Sequence, residues 1–158
     1  MRRTARSALL VTFAAVVALT PSACGKDKKD DQQGAKTKPK VTVPSGDPPT
    51  TLQKKDISVG AGAEASAGQK VSVQYVGVAY STKKQFDASW DRGNPFNFTL
   101  GAGNVIKGWD EGVPGMRVGG RRQLVIPPDL AYGPAGYPPV IGPNETLVFV
   151  VDLVSVNQ

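Results

Sequence analysis

The chain has 158 residues, 20% of them charged, with a formal net charge of +6, one cysteine and no histidine. Without histidine there is no Ser/His/Asp or Cys/His triad and no histidine-bearing zinc site, and a lone cysteine permits neither an internal disulfide nor a Cys-based metal cluster. The positive charge does not mark a nucleic-acid surface, because it sits at the N-terminus: residues 1–23 hold three arginines and no acid, 24–50 six lysines against four aspartates, and 51–158 ten basic against nine acidic residues.

Residues 1–23 read as a signal peptide. Arg2, Arg3 and Arg6 make a basic start, and the apolar run over 8–19 is shorter than the ~20 residues that a spanning helix needs. Its end, Leu19-Thr20-Pro21-Ser22-Ala23-Cys24-Gly25, resembles a bacterial lipobox, with Pro21 where an aliphatic residue usually stands. Cys24 is then the first mature residue and the lipidation site, holding the protein to the extracytoplasmic face of a membrane. Ordinary secretion with a leftover cysteine is the alternative. Residues 24–50 are rich in Lys, Asp, Gln, Thr, Pro and Gly, with no aromatic side chain, and read as a flexible linker. Its random-coil reach is about 28 Å.

The folded domain is expected over 51–158. A strand covers 52–59 and ends at Gly60-Ala61-Gly62. Over 70–78, Val71, Val73 and Tyr75 alternate with Ser72 and Gln74, which makes a clear strand. Residues 80–84 form a polar turn, and 86–92 are too polar for a core strand and stay unassigned. Residues 95–100 alternate again. After a break at 101–104 comes one short helix, with Ile106, Trp109 and Val113 on one face and Pro114 closing it. Gly108 and Gly112 each weaken it by about 1 kcal/mol relative to alanine, so it depends on what surrounds it.

Residues 121–126 form a strand that stops at Pro127-Pro128. The stretch 128–143 has five prolines and three glycines, too many for regular structure, yet carries Tyr132, Tyr137, Val140 and Ile141. A long β-branched strand covers 146–156. These last strands are nearly continuously apolar, as expected when one face meets a core and the other is partly covered. The fold class is α+β: a curved antiparallel sheet of about five strands wrapped around one short helix.

Seven segments in register resemble the FKBP-type peptidyl-prolyl cis–trans isomerases. They are Val73-Gln74-Tyr75-Val76-Gly77, Gln85-Phe86-Asp87-Ala88-Ser89, Pro95-Phe96-Asn97-Phe98, Leu100-Gly101 with Val105-Ile106-Lys107-Gly108-Trp109-Asp110-Glu111-Gly112-Val113, Met116-Arg117-Val118-Gly119-Gly120, Pro127-Pro128-Asp129-Leu130-Ala131-Tyr132-Gly133 and Ile141-Gly142-Pro143-Asn144-Glu145-Thr146-Leu147-Val148-Phe149. The resemblance covers about 52–156. It implies an apolar pocket with Trp109 as its floor and walls from Tyr75, Phe86, Phe96, Val105, Ile106, Tyr132 and Phe149. Tyr137, Val140 and Ile141 would form a flap over the mouth, and Asp87 would sit at the rim, paired with Arg92. Departures from the family pattern are Tyr137 in place of histidine, Leu130 in place of an aromatic residue, Asp110 in place of glutamate, and a larger Trp90 that lies outside the pocket.

The implied activity is rotation of Xaa-Pro bonds, with Tyr75, Asp87, Ile106 and Tyr132 as the catalytic group. The barrier of ~18–20 kcal/mol comes from lost amide resonance, so no nucleophile, metal or cofactor is needed. An apolar pocket that binds the twisted amide better than the planar one suffices, with the Ile106 N–H and the Tyr132 hydroxyl as donors to the flanking backbone. The expected partners are proline-containing unfolded or partly folded chains, macrolide inhibitors and a membrane, with no nucleic acid, and the protein is expected to be a monomer. A non-catalytic module that binds proline segments would carry the same pocket. The adjacent acids Asp110 and Glu111 are read as favouring the dipole of the helix N-terminus.

Overall fold

The computed structural model describes residues 37–157. The expected signal peptide, the Cys24 lipidation site and the 24–36 part of the expected linker lie outside the described residues. Six strands form one antiparallel sheet: β1 (Gln53–Ser58), β2 (Lys70–Ala79), β3 (Gln85–Ala88), β4 (Phe96–Thr99), β5 (Arg121–Ile126) and β6 (Leu147–Asn157). Their order is β1-β5-β6-β2-β3, with β4 also paired to β2. Two short helices, α1 (Ser89–Arg92) and α2 (Lys107–Gly112), complete the regular structure together with two single-turn 3-10 segments in the proline-rich loop.

The segment 86–92, unassigned from sequence, accounts for the extra strand and helix. β2 pairs with β3 over Val76–Val78 and with β4 over Lys70–Val73. The two short strands are one edge, interrupted by α1 and closed at Gly93, which takes up a left-handed φ of 72°. Its polar side chains form a rim rather than a core, which is why no strand alternation is visible there.

Alternation sorts the central strands into two faces. Val71, Val73 and Tyr75 of β2, Leu124 and Ile126 of β5, and Leu147, Phe149, Val151 and Leu153 of β6 pack with Trp109, Val113 and Met116 in the main core. Val76, Val78, Val125 and Val148 point the other way into two smaller clusters. That outer face is covered by residues 37–50, where a flexible linker was expected. Val41 and Val43 lie against both outer clusters. The Thr37 carbonyl accepts from Arg121 at 2.8 Å and the Thr42 carbonyl from Gln123 at 2.7 Å. The Tyr80 hydroxyl reaches the carbonyls of Gly46 and Asp47 at 3.2 and 3.3 Å. Two valines spaced by two in a polar segment give it one apolar edge, and the sheet's side chains take up its backbone acceptors.

α2 needs the support that its glycines predict. A Cβ on Gly108 would lie 2.3 Å from Cγ2 of Ile126, and one on Gly112 2.8 Å from the methyls of Leu124. The helix therefore lies directly on β5. Arg122, 8% exposed, closes its end by donating to the carbonyls of Gly112 at 2.9 Å and Pro114 at 3.1 Å. The same guanidinium forks onto Asp56 of β1 at 2.6 and 3.1 Å, which ties the edge strand to the helix.

Helix propensity alone would make Gly108→Ala stabilising by about 1 kcal/mol. The Ile126 contact reverses the sign, and Gly108→Ala should destabilise by about 1–3 kcal/mol in urea unfolding, with Ile126→Val recovering part of the loss.

Candidate functional site

The site is a cavity of about 180 Å³ between the inner face of the sheet and the start of α2. Tyr75, Phe86, Asp87, Phe96, Val105, Ile106, Trp109, Tyr132 and Phe149 line it, together with Asn104. Nine of the thirteen residues singled out for the pocket are thus in one place. They come from β2, β3, β4, the approach to α2 and its first turn, the proline-rich loop and β6.

Trp109 is 4% exposed and sits under four aromatic rings. Tyr75 and Phe149 meet it edge to face at centroid distances of 5.0 and 5.3 Å, and Phe98 and Phe96 follow at 5.5 and 6.1 Å. Such pairs add about 0.5–1.5 kcal/mol each beyond area burial, so the indole is firmly placed. Its N–H has no hydrogen-bond acceptor among the described residues. Phe86 stands perpendicular to Phe149 at 5.5 Å and completes one wall.

The polar rim is a three-membered network. The Tyr75 hydroxyl donates to Oδ2 of Asp87, and Arg92 donates to Oδ1 of the same carboxylate. Arg92 also donates to the Tyr75 oxygen at 2.8 Å, with its guanidinium 5.6 Å from the Tyr75 ring. Burial, and then the bond to Asp87, push the Tyr75 phenol up to about 12. Burial also raises the Tyr132 phenol, helped by Tyr137 and Asp87 nearby. Tyr75 is therefore a neutral donor throughout the physiological range, and its proton is committed to Asp87 rather than to chemistry.

Besides the Trp109 indole N–H, two donors are left for a ligand. Among the described residues neither the Ile106 N–H nor the Tyr132 hydroxyl has an acceptor. Ile106 precedes α2 in an extended conformation, φ −60° and ψ 145°, while its carbonyl accepts from Trp109 at 2.9 Å.

The three residues expected in the flap take different places. Tyr137 and Ile141 exchange backbone hydrogen bonds at 2.9 Å, and the Tyr137 ring lies 5.5 Å from Tyr132, extending the aromatic rim. Val140 is 49% exposed and does not line the cavity. Ile141 is 4% exposed and belongs to the main core, because the bridge to Tyr137 turns its side chain inward. Asn104 was not foreseen, being a polar residue in a glycine-rich break. Asp110, read as a dipole partner, also accepts from the N–H groups of Gly101 at 2.8 Å and Gly103 at 3.1 Å, so it fixes the loop leading to Asn104 and Val105.

Residues 62–154 match the family described as FKBP-type peptidyl-prolyl cis-trans isomerase. An "FK506-binding protein" of Streptomyces anulatus is 61% identical over 120 residues, covering 75% of this chain and 97% of that one. A "Probable FK506-binding protein" of Corynebacterium glutamicum is 53% identical over 119 residues, covering 75% and 98%. Both matches span about 118 residues of this chain, more than the 108 of 51–158, so about ten residues or more before Thr51 fall within them. The crystal structure of AtFKBP13 superposes with a TM-score of 0.64 at 40% identity, covering 69% of this chain and 95% of that one. The chain belongs to the FKBP-type peptidyl-prolyl cis–trans isomerases, enzymes that rotate the bond preceding proline.

Proposed function

We propose that this isomerase acts on extracytoplasmic polypeptides, as a monomer exported by residues 1–23 and anchored through Cys24. In this reading the proline ring enters the aromatic cavity and rests on Trp109. Removing the amide from water disfavours its charge-separated planar form relative to the twisted one. The Ile106 N–H and the Tyr132 hydroxyl hold the carbonyls flanking the bond as it turns. Asp87 faces the cavity from its rim, fixed by Tyr75 and Arg92, where its carboxylate interacts with the turning carbonyl.

The observation that carries this mechanism is an apolar floor and walls beside two unpaired donors, the arrangement that a rotating neutral amide needs. X-Pro isomerisation takes tens to hundreds of seconds uncatalysed, long enough to limit folding, so newly exported chains are the natural substrates. The same cavity is proposed to take macrolide inhibitors, in keeping with the FK506 binding for which its relatives are named.

A protease-coupled assay on Xaa-Pro peptides tests the pocket. Phe86→Ala and Phe149→Ala should each lower kcat/KM about tenfold or more, equivalent to about 1.4 kcal/mol of lost transition-state binding. Unchanged rates in folded variants would remove these rings from the site. Cys24→Ser should move the protein from the membrane to the soluble fraction of its host, and a variant that stays with the membrane rules out the anchor.

The Tyr75 network sets an alkaline limit. Because folding raises the phenol from 10.0 to about 12, the folded state favours the neutral form. That stabilisation is complete below about pH 10 and is lost as pH climbs toward 12. Denaturant unfolding of wild type should show the loss in this window, and Tyr75→Phe should flatten it. An equal alkaline loss in the variant would assign the effect to other groups.

A further inference from the structure

We infer that residues 37–47 form a strap that positions the pocket rim by holding α1 from behind, with Lys38, Val41, Val43, Trp90 and Asp91 as positioning residues acting through Arg92. The inference rests on the rim assignment made above for Arg92, Asp87 and Tyr75.

α1 is a single turn of four residues with no side-chain cap at its start. A helix of that length has no stability of its own, so the groups around it fix where it lies. Its four side chains diverge. Ser89 is fully buried; its Oγ accepts from the Tyr75 N–H at 2.8 Å and donates to Gln74. Trp90 packs on Val76, Val78 and Ala88, the same three side chains against which Val41 and Val43 of the strap lie. Asp91 accepts from Lys38 of the strap at 2.5 Å and from Gln85 at 2.7 Å. Arg92 alone turns to the pocket, onto Asp87 and Tyr75. One turn of helix thus connects the strap on the outer face of the sheet with the rim on its inner side.

Trp90 gives this connection a direction. Its indole N–H is buried and has no acceptor among the described residues. A donor in that state gains by reaching water. With the strap displaced, the outer face opens, Trp90 swings toward solvent, and the adjoining Arg92 loses its fixed position over Tyr75. The strap makes no strand ladder; side-chain contacts and the carbonyls of Thr37, Thr42, Gly46 and Asp47 hold it. Its docking can therefore be disturbed without breaking the sheet. Part of the segment before Thr51 also lies within the match to the two bacterial relatives, consistent with its being a part of the domain.

The test is a double-mutant cycle in the full-length protein, read as kcat/KM on an Xaa-Pro peptide under conditions where every variant is folded by circular dichroism. Val41→Asp/Val43→Asp should lower kcat/KM about three- to tenfold, and the same pair should change little in an Arg92→Ala background. A merely structural strap predicts the same fold loss in both backgrounds, and that result overturns the inference. Unchanged kcat/KM in the strap variant overturns it as well. If the double variant does not fold, Lys38→Gln is carried through the same cycle, with a loss of about two- to threefold expected and Lys38→Arg restoring it. Absence of that loss counts against the strap. Arg92→Ala alone separates the two assignments. No effect of that change refutes the rim itself, whereas a loss there without a loss in the strap variants refutes only the strap.

Discussion

Trp109 forms the pocket floor because α2 lies so close to β5 that no Cβ fits at Gly108 or Gly112. Ile126 and Leu124 occupy that space. A helix with two more methyl groups on that side would stand off the sheet, and the indole would lose its edge-to-face contacts with Tyr75 and Phe149. The glycines cost helix propensity, and the sheet returns the stability through packing. Arg122 adds to this by satisfying carbonyls at the end of α2 and pairing with Asp56, so one buried guanidinium secures the helix and an edge strand together.

The second organising feature is the interrupted edge. An unbroken strand beside β2 would present alternating side chains to core and solvent and nothing to the cavity mouth. Inserting one helical turn between β3 and β4 lets Asp87 and Arg92 meet the Tyr75 hydroxyl. Burial, helped by the bond to Asp87, raises the Tyr75 pKa, which keeps the phenol proton out of any acid–base role and suits a site that works by shape and polarity. A chain without histidine is suited to that kind of catalysis.

Much of this was legible in the residues. Alternation located β2 and β4, flanking glycines and prolines located β5, a long β-branched run located β6, the spacing of Ile106, Trp109 and Val113 located α2, and the resemblance placed the aromatic walls. What stayed hidden has physical causes. Residues 85–92 carry rim chemistry, so their pattern follows neither the strand nor the helix period. Residues 37–50 have the composition of a linker, and only Val41 and Val43 betray an apolar edge, whose partner is distant in sequence. The near-continuous apolar character of β6 did point to a covered outer face, but not to the segment that covers it. The resemblance put Ile141 in a flap, yet the residue is buried, and its backbone bridge to Tyr137 is a contact that no pattern in the loop announces.

The two edges of the sheet have a consequence for an isomerase of proline-containing chains. Its substrates carry unpaired backbone donors and acceptors, and an open, flat strand edge would recruit them into a growing aggregate. β1 leaves five of its six residues exposed, with Lys54, Lys55 and Asp56 among them, so an incoming strand meets charge. The opposite edge offers only two four-residue strands, separated by a helical turn. Neither side is long, flat and apolar enough to template pairing. Among the described residues, the surface left to receive a proline-containing chain is the aromatic cavity rather than a strand edge.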